Sequence, residues 1–137
     1  MIVVDSNIIG YLYLSSERSC QAEQAFRKDP QWAAPLLWRS EFRNVLAFYV
    51  RQRRLSLEEA QQIMDEAMDL MIGQEYQVAS SRVLSLAAKS RCSAYDCEFV
   101  SLAQDLGVPL VTVDKQVLEQ FPTVTVPLDR YVAARRK

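Results

Sequence analysis

An α/β domain built on a parallel sheet is the fold this sequence predicts, and three observations predict it. Short apolar runs of strand length, Ile2 to Val4 and Leu110 to Val113 among them, alternate with stretches of helical composition, the order expected of strand–helix–strand units. The chain has 137 residues, 50% of them hydrophobic, which suits one substantial core. No repeat, linker or low-complexity segment interrupts it, so residues 1–137 read as a single domain.

The elements follow in order. Ile2 to Val4 reads as a buried parallel strand, because apolar β-formers succeed one another without polar alternation. Asn7 to Leu14 is a first short helix, and Glu17 to Lys28 is helical by composition until Asp29-Pro30 stops it. A strand at Trp32 to Ala34 leads past Pro35 into a long helix over roughly 37–54. Ser56-Leu57-Glu58-Glu59 is a capping box that opens a helix to about Ile72, closed by Gly73. Glu75 to Ala79 is expected as a strand and Ser81 to Ser90 as a helix. Ser93 caps a helix beginning Ala94-Tyr95-Asp96 and running to Leu106, where Gly107 and then Pro109 end it. The strand at 110–113, a short helix from Lys115 to Gln120, a strand around Val124 to Val126 and a helix from Leu128 complete the chain.

Composition narrows the chemistry. Lys plus Arg number 16 against 17 Asp plus Glu, so a net charge of −1 gives no global basic field, and any nucleic-acid surface must be local. The apolar start Met1-Ile2-Val3-Val4 lacks a basic lead and is cut by Asp5, and no apolar run approaches the roughly 18 residues of a membrane span. The expected setting is soluble and cytoplasmic. Cys20, Cys92 and Cys97 match no zinc spacing and read as buried reduced thiols. There is no histidine, which excludes Ser-His-Asp triads, Cys-His pairs, paired-His ribonuclease chemistry and His-based zinc sites. An enzyme here must work through carboxylates, Lys, Tyr, Ser, Thr or a metal.

Acids fall where ordinary acids do not. Asp5 and Asp114 each end a predicted strand, and the carboxyl ends of strands are where open α/β sheets bind ligands. Glu41 shares the line Leu37, Val45 and Phe48 on its helix, while Arg39, Arg43, Asn44 and Arg51 lie elsewhere. Asp96 shares a face with Phe99, Val100 and Ala103, with Glu98, Ser101 and Asp105 as the wet side. Each acid has a local alternative: Asp5 and Asp114 as N-caps, Asp96 as a first-turn partner of the helix dipole, Glu41 as half of an ion pair. One explanation covers all of them together. Clustered carboxylates repel unless a cation neutralises them, and an oxygen-only donor set suits Mg²⁺ or Mn²⁺.

Val4-Asp5-Ser6-Asn7, Glu41 on a long helix, Tyr95-Asp96 opening a later one and Leu110-Val111-Thr112-Val113-Asp114 resemble the PIN-domain nucleases, in particular the VapC-like toxins of bacterial toxin–antitoxin pairs. The resemblance runs through the whole chain in order. It implies a three-layer α/β/α fold around a central parallel sheet, with an acidic cluster that binds Mg²⁺ or Mn²⁺ and cleaves RNA. Position by position, Asp5, Glu41, Asp96 and Asp114 match the acidic quartet, and Asn7 and Thr112 match small polar residues that hydrogen-bond it. It also implies a homodimer held inactive by a cognate antitoxin.

Remaining features carry less. Arg39 and Arg43 are candidate RNA contacts, as are Arg51, Arg53, Arg54, Arg130, Arg135, Arg136 and Lys137, although charge on a helix is usually a solvated face. Tyr95 reads as a packing residue. Met64, Met68 and Met71, beside Ile63, Ala67 and Leu70, read first as a core face and second as a groove for the antitoxin. Three other readings stay open: a PIN nuclease of RNA processing that is no toxin, a non-catalytic binding module of the same fold, and a phosphate-handling signalling domain. The last would want an adjacent acid pair after the first strand, where Ser6 and Asn7 stand instead.

Overall fold

The computed structural model describes residues 1–134, so the candidate phosphate contacts Arg135, Arg136 and Lys137 lie outside the described residues. The chain order is β1 (Ile2–Val4), α1 (Ser6–Tyr13), α2 (Ser19–Lys28), β2 (Trp32–Pro35), α3 (Leu37–Arg51), α4 (Leu57–Leu70), β3 (Glu75–Tyr76), α5 (Ser80–Ala88), α6 (Ala94–Leu106), β4 (Leu110–Thr112), α7 (Lys115–Gln120), β5 (Thr125–Pro127) and α8 (Leu128–Ala133). The strands form a five-stranded sheet in the order β3-β2-β1-β4-β5, every pairing parallel. The helices flank it in two groups, α1 packing with α2, α3 and α4, and α6 packing with α5 and against β1, β2 and β4. This is the expected α/β/α arrangement. Val3 and Val4 are wholly buried, as a central strand covered on both faces requires.

Local signals placed most boundaries. Ser56 Oγ accepts from the Glu59 amide while Glu59 reaches back to the Ser56 amide, closing the capping box that opens α4. Gly107 ends α6 in the left-handed region at φ 65°, where a side chain would be strained. The strand expected over 75–79 is only two residues long, because it stands at the sheet edge and pairs with β2 alone.

Several expectations about faces change once the elements pack. The inward face of α3 is Trp38, Phe42 and Leu46, whereas Phe48, on the line of Glu41, is 49% exposed. Glu41 therefore stands on the flank of α3 and not within its core face. Ser101, expected on a wet side of α6, is completely buried, and Glu98 is half-buried, since sheet and α5 together enclose that helix. Ala60, Met64, Ala67 and Met71 of α4 and its C-cap lie in the core, so the methionine stripe is packing and no open groove. Tyr95 is exposed where packing was expected, and Cys20 is exposed while Cys92 and Cys97 are buried free thiols.

Candidate active site

The strand order places a cleft before any side chain is considered. From β1 the chain moves to β2 on one side, and after β3 it crosses back to β4 on the other. Connections that diverge from neighbouring strands leave a crevice at their carboxyl ends. Asp5 follows β1 directly and Asp114 lies two residues beyond β4. Pairing of Val3 with Leu110 and Val4 with Val111 brings Asp5 level with Thr112. Thr112 Oγ donates to Asp5 Oδ2 and accepts from the Asp114 amide at 3.1 Å. One buried hydroxyl thus ties the two strand-end acids together.

The capping role of these acids and a role in the cleft are compatible. Asp5 Oδ1 accepts from the Ile8 amide at 3.2 Å and caps α1. Asp114 Oδ1 accepts from the Gln116 and Val117 amides at 2.9 and 3.2 Å and caps α7, leaving Oδ2 without a hydrogen bond among the described residues. A carboxylate has lone pairs enough for both duties. Glu41 enters from α3, its Oε1 accepting from Ser6 Oγ at 2.7 Å. Asp96 enters from the first turn of α6, positioned by the Ser93 cap that accepts its amide at 3.1 Å. All four carboxylates, with Ser6, Asn7, Asn44 and Thr112 and an apolar lining of Val45, Phe99, Leu110 and Val117, surround one cleft of about 260 Å³.

Their electrostatics are coupled. Burial pushes Asp5 from 3.8 up to about 6, against the hydrogen bonds from Thr112 and Ile8, with repulsion from Asp114 and Glu41 adding to the rise. Glu41 is raised by burial and by Asp96, and Asp96 by burial and by Asp114. The repulsions close a ring through Asp5, Asp114, Asp96 and Glu41. Half-buried Glu98 is raised too, by burial and then by Glu41. No Lys or Arg among the described residues forms an ion pair with any member of the quartet. Among the described residues nothing basic offsets this charge, and protons or a bound cation would relieve it.

The donor set, oxygen only and anionic, fits a hard divalent cation. As the side chains stand, no three acids among the described residues converge closely enough to grip one ion. The spread is compatible with Mg²⁺, which commonly takes one or two carboxylates directly and reaches others through its waters.

The other expected residues sort differently. Asn7 lies at the exposed rim of the cleft, and the hydrogen bond to the acids on that side comes from its neighbour Ser6. Nothing in the sequence distinguished Ser6 from Asn7; the turn from β1 into α1 decides which faces α3. Asn44, expected elsewhere, lines the cleft three residues along α3 from Glu41. Arg39 is committed to Glu75, donating from Nε at 2.5 Å and from Nη2 at 2.6 Å, while Trp38 Nε1 donates to the same carboxylate at 2.8 Å. It binds the edge strand and is not part of the cleft. Arg43 is exposed and lies outside the cleft lining.

A parallel sheet whose switch point carries an all-carboxylate cleft defines a class of α/β protein suited to a divalent cation and a phosphate. Within that class, the chain belongs to the PIN domain family, whose profile matches residues 2–122. It is 31% identical over 129 residues to Ribonuclease VapC3 of Pyrobaculum aerophilum, a match that covers 92% of this chain and 98% of that protein. The fold recurs in the crystal structure of PAE2754 from Pyrobaculum aerophilum, with a TM-score of 0.77, 17% identity, and coverage of 96% of this chain and 93% of the other. It recurs also in a toxin–antitoxin complex from Klebsiella pneumoniae, with a TM-score of 0.66, 20% identity, and coverage of 93% and 98%. Among the described residues no helix is long and apolar enough to cross a membrane.

Proposed function

We propose that the protein is a Mg²⁺- or Mn²⁺-dependent endoribonuclease that acts in the cytoplasm as the toxin of a toxin–antitoxin pair, as a homodimer restrained by its cognate antitoxin. The observation that carries this is the ring of four mutually repelling carboxylates at the sheet's switch point, none with a basic partner among the described residues. Asp5, Glu41, Asp96 and Asp114 would hold the cation. When bound it supplies the Lewis acidity that makes water a nucleophile at neutral pH and balances the charge of a phosphodiester. Thr112 and the Ile8 amide fix the Asp5 carboxylate, and Ser6 fixes Glu41, so two of the four acids have restricted orientations at the cleft. The apolar wall of Phe99, Leu110 and Val117 strengthens the electrostatics of the cleft by keeping part of it dry. RNA as substrate is supported by the name of the VapC3 relative, and the antitoxin by the Klebsiella complex.

Purified protein should cleave single-stranded RNA with Mg²⁺ or Mn²⁺ and stop on adding EDTA. Cleavage that persists in excess chelator would falsify the metal mechanism. Expression alone should arrest growth, and co-expression with a small DNA-binding protein encoded immediately upstream should relieve it. Harmless expression of an active nuclease would transfer the reading to RNA processing.

A further inference from the structure

Next to the acidic cleft, between α1 and α3, lies a second, more apolar pocket lined by Gly10, Tyr11, Leu14 and Tyr49. Ser6, Asn7 and Val45 belong to both, so the two form one continuous depression. Each tyrosine carries an arginine. The Arg18 guanidinium lies 5.9 Å from the Tyr11 ring centroid and donates to its hydroxyl at 3.3 Å, and Arg54 lies 4.3 Å from the Tyr49 centroid. Neither arginine forms an ion pair among the described residues, although Glu17 and Asp129 lie near enough to Arg18 to act on its charge. Arg18 and Lys115 also line a further depression that meets the acidic cleft at Thr112.

Aromatic walls with cations at the rim, opening onto a phosphate-handling cleft, match the two halves of a nucleotide. Its base is flat and stacks on tyrosine or guanidinium, and its phosphates meet the arginines. An apolar side chain of a protein partner would fill the floor and leave Arg54 without a counter-charge. We propose that an unpaired base of the RNA stacks across the mouth of this pocket, which at about 70 Å³ is too small to enclose it, beside the phosphate in the acidic cleft, with Tyr11 and Tyr49 against the base and Arg18 and Arg54 on the flanking phosphates. The proposal rests on the endoribonuclease reading above. It makes Tyr11 and Tyr49 determinants of where a strand is cut, and it requires that base to be unpaired.

The test uses labelled single-stranded oligoribonucleotides in which one abasic nucleotide is moved stepwise along the strand, bound in the presence of Ca²⁺ as a substitute divalent cation to wild type and to Tyr49→Leu, Arg18→Gln and Arg54→Gln. Omitting the base at one position should weaken binding to wild type roughly tenfold, and the penalty should shrink to about twofold or less in Tyr49→Leu. Arg18→Gln and Arg54→Gln should weaken binding to every oligonucleotide and flatten its salt dependence. Should Tyr49→Leu fail the melting control, the two arginine variants decide the matter. An abasic penalty equal in wild type and Tyr49→Leu, or absent from wild type, overturns the pocket, as do arginine variants with wild-type affinity. Wild-type RNA cleavage in Mg²⁺ is measured alongside. A position-specific penalty without cleavage sinks the nuclease reading alone, and cleavage without a penalty sinks the pocket alone.

Discussion

Asp5→Asn should make the metal-free protein more stable at neutral pH while abolishing cleavage. Burial, assisted by Asp114 and Glu41, lifts this carboxyl from 3.8 to about 6. At about 1.36 kcal/mol per pH unit, keeping it ionised in the folded state costs about 3 kcal/mol. An acid whose folded value exceeds its unfolded one takes nothing from stability below 3.8, takes progressively more as pH climbs toward 6, and takes the full amount above that. Asparagine retains an acceptor for the Ile8 amide, but its amide nitrogen cannot accept from Thr112, a loss of about 1 kcal/mol. The net gain at pH 7.5 is therefore about 1–2 kcal/mol, or roughly 3–8 °C in melting temperature for a domain of this size. At pH 4 it disappears. Urea denaturation in EDTA at both pH values measures the difference, and adding Mg²⁺ should raise the melting temperature of wild type more than that of D5N. A variant no more stable than wild type at pH 7.5, with the same dependence on pH, would refute the account of Asp5 as a buried anion awaiting a cation.

Arg39→Gln should lower the melting temperature, because half-buried Glu75 loses a two-point partner, yet leave RNA affinity within twofold of wild type in filter binding. A large loss of affinity without a loss of stability would return Arg39 to the RNA surface. Met64→Asp should unfold the protein by circular dichroism, since an unpaired charge would be forced into the core, whereas Ile72→Asp at a position 72% exposed should leave stability nearly unchanged. Asp114→Asn should keep the α7 cap and the fold while reducing cleavage at least a hundredfold, and Asp114→Ala should in addition lose about 1 kcal/mol of stability.

Two features of the site reinforce each other. The hydroxyls of Ser6 and Thr112 each hold one carboxylate, on α3 and just after β1 respectively, so the acids are oriented by neutral donors that add no competing positive charge. A basic residue in either place would pair with one of the acids and compete with a cation for it.

Sequence by itself determined the alternation of elements, the capping box and stops, the parallel sheet and the acids of the cleft, because each of these is written in residues close together or in a composition that forbids alternatives. The capping box at Ser56 and the left-handed stop at Gly107 are local chemistry, and the lack of histidine left carboxylates as the principal donors. Sequence periodicity also found Glu41 and Asp96 and the buried face of Phe99, Val100 and Ala103, though it misplaced Phe48, Ser101 and Glu98. Only the tertiary structure decided that Ser6 and not Asn7 reaches Glu41, that Asn44 borders the cleft, that Arg39 is taken by Glu75, and that Ser101 is buried. The reason is that a helix shows its pattern as one stripe, while packing surrounds it on several sides: α6 is enclosed by the sheet and α5 together, and α3 presents one side to the core and a flank to the cleft. Periodicity reports how apolar a face is. Which neighbour that face meets depends on a strand order, β3-β2-β1-β4-β5, that brings Asp5 and Thr112, 107 residues apart in the chain, into hydrogen-bond contact.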